Sequence, residues 1–181
     1  GGFRGGFGEI IAGNCDTPLK TSQGKIDQFN DIDGDIKTIF AGESRQDNII
    51  QWTSPTLADA IELNVAFSPA EGDDVDGDGE DDDGLADTTY FSAVYDAGGV
   101  YLAAAMAQNE DDKGILDTDW SPGEEIADIT RLSGGFKADN FQIGAIYQMA
   151  ESVEDGSDLE ADSMLFSGSF TIDRVKLKAQ Y

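Results

Sequence analysis

The sequence predicts an all-β chain whose antiparallel strands run up and down in order, in the manner of a membrane-crossing barrel. Three observations carry that expectation. Apolar and polar residues alternate with a period of two over many segments, as in strands with one apolar and one polar face. The connections between those segments alternate strictly between short and long. Several segments run to about 9–12 residues, the length that crosses a bilayer at a tilt. No segment carries a convincing apolar stripe of helical period.

Nine strands are predicted, at about 3–13, 46–54, 59–68, 88–96, 99–108, 127–138, 140–151, 162–171 and 174–181. In the third, Ile61, Leu63, Val65 and Phe67 alternate with Glu62, Asn64, Ala66 and Ser68. In the sixth, Leu132, Gly134 and Phe136 alternate with Arg131, Ser133, Gly135 and Lys137. The seventh sets Phe141, Ile143, Ala145, Tyr147 and Met149 against Gln142, Gly144, Ile146 and Gln148. The eighth sets Met164, Phe166, Gly168, Phe170 and Ile172 against Leu165, Ser167, Ser169 and Thr171. The ninth sets Val175, Leu177, Ala179 and Tyr181 against Lys176, Lys178 and Gln180, after a hairpin-length Asp173-Arg174.

Short turns fall near 55–58, 97–98, 139 and 172–173; long loops fall at 14–45, 69–87, 109–126 and 152–161. One end of the sheet is therefore tight and the other elaborated, the asymmetry of outer-membrane barrels, whereas sandwiches mix connection lengths. Alternation by itself does not separate the two. A soluble sheet buries its apolar face, while a membrane barrel turns that face to lipid and its polar face to a lumen. Trp52, Tyr90, Phe141, Tyr147 and Tyr181, near strand ends, suit interfacial girdles or an ordinary β core alike.

Composition excludes much else. At 181 residues the chain is one domain or part of one. It has 37 acidic and 11 basic residues, a formal charge of −26, which argues against binding nucleic acid through phosphates. Absence of histidine removes His-based catalysis and His-ligated metals, and the single Cys15 removes disulfide frameworks and Cys-cluster sites. Cys15 itself reads as a small packed residue. The longest apolar run, Val100–Ala107, is too short for a transmembrane helix. With neither an initiating Met nor a signal-peptide pattern, a mature chain or a fragment is expected.

Of the 37 carboxylates, 29 lie in four segments, 14–45, 69–88, 109–125 and 151–162, which read as solvated loops. Asp74-Val75-Asp76-Gly77-Asp78-Gly79 resembles the opening of a calcium loop, but Leu85 stands where an EF-hand needs Glu. Loose Ca²⁺ or Mg²⁺ at the acidic loops is the expectation, with Asp74, Asp76 and Asp78 as weak candidates and no other cofactor. Carboxylate pairs are too numerous to specify glycosidase chemistry, and Gly1–Gly8 lacks the strand-to-helix setting of a phosphate loop. An enzyme is not expected.

A resemblance sharpens the reading. Gly5-Gly6-Phe7-Gly8-Glu9-Ile10-Ile11-Ala12-Gly13-Asn14, followed by Asp16-Thr17-Pro18-Leu19-Lys20, is similar to the general porins of Gram-negative bacteria, where such a strand leads into a "DTP" opening of the long third loop. Gly24-Lys25-Ile26-Asp27 and Asp33-Gly34-Asp35 follow. Ser44-Arg45-Gln46-Asp47-Asn48-Ile49-Ile50-Gln51-Trp52-Thr53-Ser54-Pro55 then resembles the family's return, R-x-x-N-S-I-x-Y-x-S-P, with Ile49 for the small residue and Trp52 for the tyrosine. The pattern covers residues 1–181, the motif-level likeness about 5–55.

The resemblance implies a single sixteen-stranded, homotrimeric porin barrel in the outer membrane, of which this chain supplies about strands 5–13. Nine strands leave open edges that lipid does not tolerate, so an internal fragment, or a chain with strands unread, is expected. It also implies that 14–45 folds inward as the pore-constricting loop, with Asp27, Asp31, Asp33, Asp35 and Glu43 on it and Arg45 at its return. Arg131, Lys137, Lys176 and Lys178 fall on the lumen wall by alternation. Acids facing bases across a constriction select ions. The three remaining long loops, 69–87, 109–126 and 152–161, are then extracellular. The implied function is passive diffusion of ions and small hydrophilic solutes with a moderate cation preference, amid outer-membrane lipid and lipopolysaccharide. The alternative is a secreted calcium-binding β-sandwich adhesin or carbohydrate-binding module, which would stay soluble without detergent; a β-rich hydrolase lacks any nucleophile–base motif.

Overall fold

The computed structural model describes residues 1–29, 35–43, 45–69, 86–112, 125–153 and 159–181. Ten strands account for most of them: β1 (Gly2–Gly5), β2 (Gly8–Asp16), β3 (Arg45–Thr53), β4 (Ile61–Ser68), β5 (Thr88–Ala97), β6 (Val100–Asp112), β7 (Glu125–Lys137), β8 (Phe141–Ser152), β9 (Glu160–Ile172) and β10 (Val175–Gln180). All ten form one antiparallel sheet in chain order, with β1 and β10 at its edges. A sandwich needs two sheets packed face to face, so the adhesin alternative does not describe this chain.

Two expectations are corrected. The strand expected at 3–13 is a hairpin, β1 and β2, paired from Gly5↔Gly8 to Gly2↔Ile11. Gly8 makes the reversal possible: its φ is +100°, and a Cβ there would stand 2.0 Å from the Thr53 carbonyl oxygen. The loop expected to begin at 109 begins later, because β6 continues to Asp112. Its register against β7 shifts between Ala107 and Glu110, where Asn109 takes φ 53°. Such a bulge reverses which residues face inward.

The rule of connections holds. Tight links join β1–β2, β3–β4, β5–β6, β7–β8 and β9–β10 at one end of the sheet, while the longer links lie at the other. The two faces differ sharply. Met164, Phe166, Phe170, Ile172, Val175 and Leu177 lie exposed on one. The other carries the loop between β2 and β3 and the buried residues. Those buried residues answer a puzzle in the alternation. Ile146 and Leu165 sit on the otherwise polar face because Ile26, Ile36 and Phe40 of the loop cover them. Ala66, Ala105, Ala107, Ala127 and Ala150 supply the shallow floor on which Leu19 and Ala41 rest.

Candidate functional site: the inward loop

The chain between β2 and β3 is built to lie against the wall. Thr17 caps a single helical turn, α1 (Pro18–Thr21), its hydroxyl accepting from the Lys20 amide at 3.1 Å, with Pro18 at the first position. Leu19 is fully buried. A short 3₁₀ turn at Ile36–Thr38 is capped by Asp35, which accepts from the Lys37 amide at 2.9 Å. Wall side chains then hold the loop's backbone. Tyr101 Oη donates to Ser22 O (2.9 Å), Gln142 Nε2 to Lys25 O (2.6 Å), Ser167 Oγ to Ile26 O (2.5 Å), Lys178 Nζ to Gln28 O (2.7 Å) and Ser163 Oγ to Ile39 O (2.7 Å). The Gln28 amide donates in return to Gln180 Oε1 at 2.8 Å.

The residues expected at a constriction take distinct places. Asp27 braces the loop from within, accepting from the Phe29 amide at 2.8 Å and the Ile36 amide at 3.4 Å. Asp35 is buried at its cap, with Lys37 Nζ 4.0 Å away. Glu43 is turned to the wall, where its carboxylate meets Arg131 Nη1 at 2.5 Å. Burial pushes the Glu43 carboxyl up, and Arg131, then Lys20, pull it back toward its ordinary range. Arg45, exposed at the start of β3, ties the strand ends together, donating to Asn14 O at 3.0 Å and lying 3.8 Å from Asp16, which also pairs with Lys20 at 3.0 Å. Asp31 and Asp33, and the weak calcium candidates Asp74, Asp76 and Asp78, lie outside the described residues. Among the described residues no group of three or more acidic or cysteine side chains is arranged to hold a metal.

Of the basic residues expected on the wall, Lys137 lines a cavity of about 350 Å³ with Lys25, Ile26, Asp96, Tyr101 and Phe136. Lys178 reaches the loop, and Lys176 shares its face by alternation. Arg131 also points inward, but it is 0% exposed, sealed beneath the loop rather than bordering open water. A second, more polar cavity of about 600 Å³ lies toward the tight-turn end, lined by Arg4, Glu9, Thr21, Gln51, Glu62 and Asn64. Arg4 and Glu9, register partners in β1 and β2, pair at its edge at 2.7 Å.

Sequence reasoning missed one buried cluster. Tyr90 Oη donates to the Glu110 carboxylate, which also accepts from Gln46 Nε2 at 3.1 Å. Simple alternation from Ala107 would put Glu110 on the outer face; only the bulge turns it in.

A single meander with an apolar outer face, a polar inner face and a loop folded onto the inner face defines a pore-type β-barrel wall. The family description "Gram-negative porin" matches residues 2–181, and the chain belongs to that family, which places it in the bacterial outer membrane. Among solved structures it is similar to the anion-selective porin from Comamonas acidovorans, with a TM-score of 0.75 and 17% identity, over 99% of this chain and 54% of that one. It is also similar to outer-membrane expressed OmpT of Vibrio cholerae, with a TM-score of 0.67 and 15% identity, over 99% of this chain and 56% of that one. The chain thus spans about half the length of these proteins. No curated protein sequence matches it.

Proposed function

We propose that this chain forms part of the wall, and the constricting loop, of a water-filled channel through which ions and small hydrophilic solutes diffuse passively, with no chemistry catalysed. One observation carries the reading: the β2–β3 loop is mounted on the polar face of a sheet whose opposite face is apolar. A soluble protein would not leave Phe166, Val175 and Leu177 in water while covering a polar wall with a loop. In this channel the 14–45 loop sets the bore, and Asp27, Asp31 and Asp33 contribute its negative charge, with Arg45 at its root, while Asp35 serves as the buried cap of the 3₁₀ turn.

Acidic segments 69–87, 109–126 and 152–161 crown the extracellular mouth and draw cations toward it. Lys25, Lys137, Lys176 and Lys178 oppose them, and Glu43 is held by Arg131, so the preference is moderate. It fades with salt, because the screening length falls from about 10 Å at 0.1 M to about 3 Å at 1 M. The similar porin described as anion-selective shares too little sequence to transfer that property. The protein acts as a homotrimer among outer-membrane lipid and lipopolysaccharide, with Ca²⁺ or Mg²⁺ held loosely at the acidic loops. Reversal potentials of the native protein across a KCl gradient in planar bilayers test the selectivity. Cation preference at low salt that declines at high salt is expected, and an anion-selective current would overturn the charge argument. Absence of any current would overturn the channel itself.

A further inference from the structure

We propose that Arg131 is the positioning residue of the constriction: its guanidinium clasps both limbs of the inward loop to the wall and so sets the bore, instead of serving as a selectivity charge. The consequence for the bore rests on the channel reading above; the clasp itself does not.

The outgoing limb supplies the Leu19 carbonyl, which accepts from Arg131 Nη1 at 3.2 Å. The returning limb supplies the Ala41 carbonyl, accepting from Nη2 at 3.0 Å, and Glu43 Oε1, accepting from Nη1 at 2.5 Å. On the wall, Gln148 Oε1 accepts from Nε at 2.7 Å and from Nη2 at 2.5 Å, while Gln148 Nε2 donates to Ala41 O at 3.3 Å. The Phe40 ring closes the remaining side, its centroid 5.4 Å from the guanidinium carbon. A planar group with five donors in a fixed fork can serve two limbs and a neighbouring strand at once; an ammonium on a flexible stem cannot hold that geometry.

Arg131 is fully buried and meets Glu43 directly, so passing ions see little of its charge. A buried pair contributes little net stability, and its best-attested use is to fix one arrangement among several. The wall contacts of Tyr101, Gln142, Ser167, Lys178 and Ser163 each hold one limb, whereas Arg131 reaches both from the wall. Because nearly all these acceptors belong to the loop's backbone, its lumen-facing side chains can change without loss of the mount.

The test uses the native protein purified in detergent and the variants R131Q, R131K, Q148M and K137Q. Three readouts separate positioning from selectivity: trypsin cleavage after Lys20, Lys25 and Lys37 in the folded protein, the size of polymer excluded from the channel, and the reversal potential. R131Q is expected to speed loop cleavage about tenfold or more, because cleavage follows the population of the unseated loop. It should also admit larger polymers while shifting the reversal potential little. R131K should not rescue it, and Q148M should fall between. K137Q should move the reversal potential and leave cleavage unchanged. Wild-type cleavage and polymer cut-off in R131Q, or full rescue by R131K, overturns the clasp. Should R131Q fail to fold, wild-type cleavage in Q148M overturns it equally. A wild-type protein that passes no current overturns the channel reading and leaves the cleavage results to judge the clasp.

Discussion

At the scale of single residues, the Arg131–Glu43 pair predicts unequal costs for two substitutions of Glu43. Replacing Glu43 with Gln removes the counter-charge of the buried Arg131 but keeps an acceptor for its guanidinium, so E43Q should cost roughly 1–3 kcal/mol, less than E43A. E43A leaves a buried guanidinium without its counter-charge and should cost about 3–5 kcal/mol. Thermal loss of folded gel mobility measures both. The direction with pH follows from the raised Glu43 carboxyl. The seated loop prefers the protonated acid, so this group's contribution is full below the ordinary carboxylate range and lost as pH rises through the raised value. Acid should therefore hold the loop rather than release it. Because many surface carboxylates also titrate, the informative quantity is the wild-type change less that of E43Q. A difference showing acid destabilisation would sink the assignment.

Among elements, β8 approaches the loop closely at Gly144. A Cβ there would stand 2.7 Å from Ile26 Cγ2, so G144A must push the loop away. A cost of roughly 1–3 kcal/mol and faster trypsin cleavage at Lys25 are expected. G134A, on the outer face, meets only Leu102 Cδ2 at 3.6 Å and should leave the loop undisturbed. Elements were also where the sequence was most legible. Period-two alternation located nearly every strand and put Phe166 and Leu177 on the exposed apolar face and Gln142 on the face that carries the loop. It failed where parity breaks. The Gly6-Phe7 turn carries no Asn or Asp to mark it, so the alternation read straight through the reversal. At Asn109 the bulge moved Glu110 to the inner face. Ile146 and Leu165 looked misplaced because their partners, Ile26 and Phe40, lie over a hundred residues earlier.

For the whole molecule, the alternation of tight and long connections predicts an orientation, with the long loops outside. Membrane-impermeant reagents applied to intact cells should label residues in 69–87, 109–126 and 152–161. They should not reach the turns near 97–98, 139 and 173. Labelling of the turns from outside would invert the topology. At this scale the motif around residues 5–55 pointed to the family, which matches residues 2–181. How the loop is seated was not legible, because Arg131, Gln148 and Glu43 have no spacing that ties them together; only the register of β7 with β8, which pairs Arg131 with Gln148, brings two of them side by side.

The mount also dictates an order of assembly. Every strand pairs with its chain neighbour, so the sheet can grow hairpin by hairpin with short loops to close. The inward loop precedes its partners in the chain: Gln28 meets Gln180 and Lys178, 152 and 150 residues onward. The loop is therefore expected to dock only after those strands have paired. During refolding, the loop should stay open to trypsin after β-structure has formed and become protected only when β8 to β10 are in place. Protection appearing before the sheet would show that the loop, rather than the wall, leads.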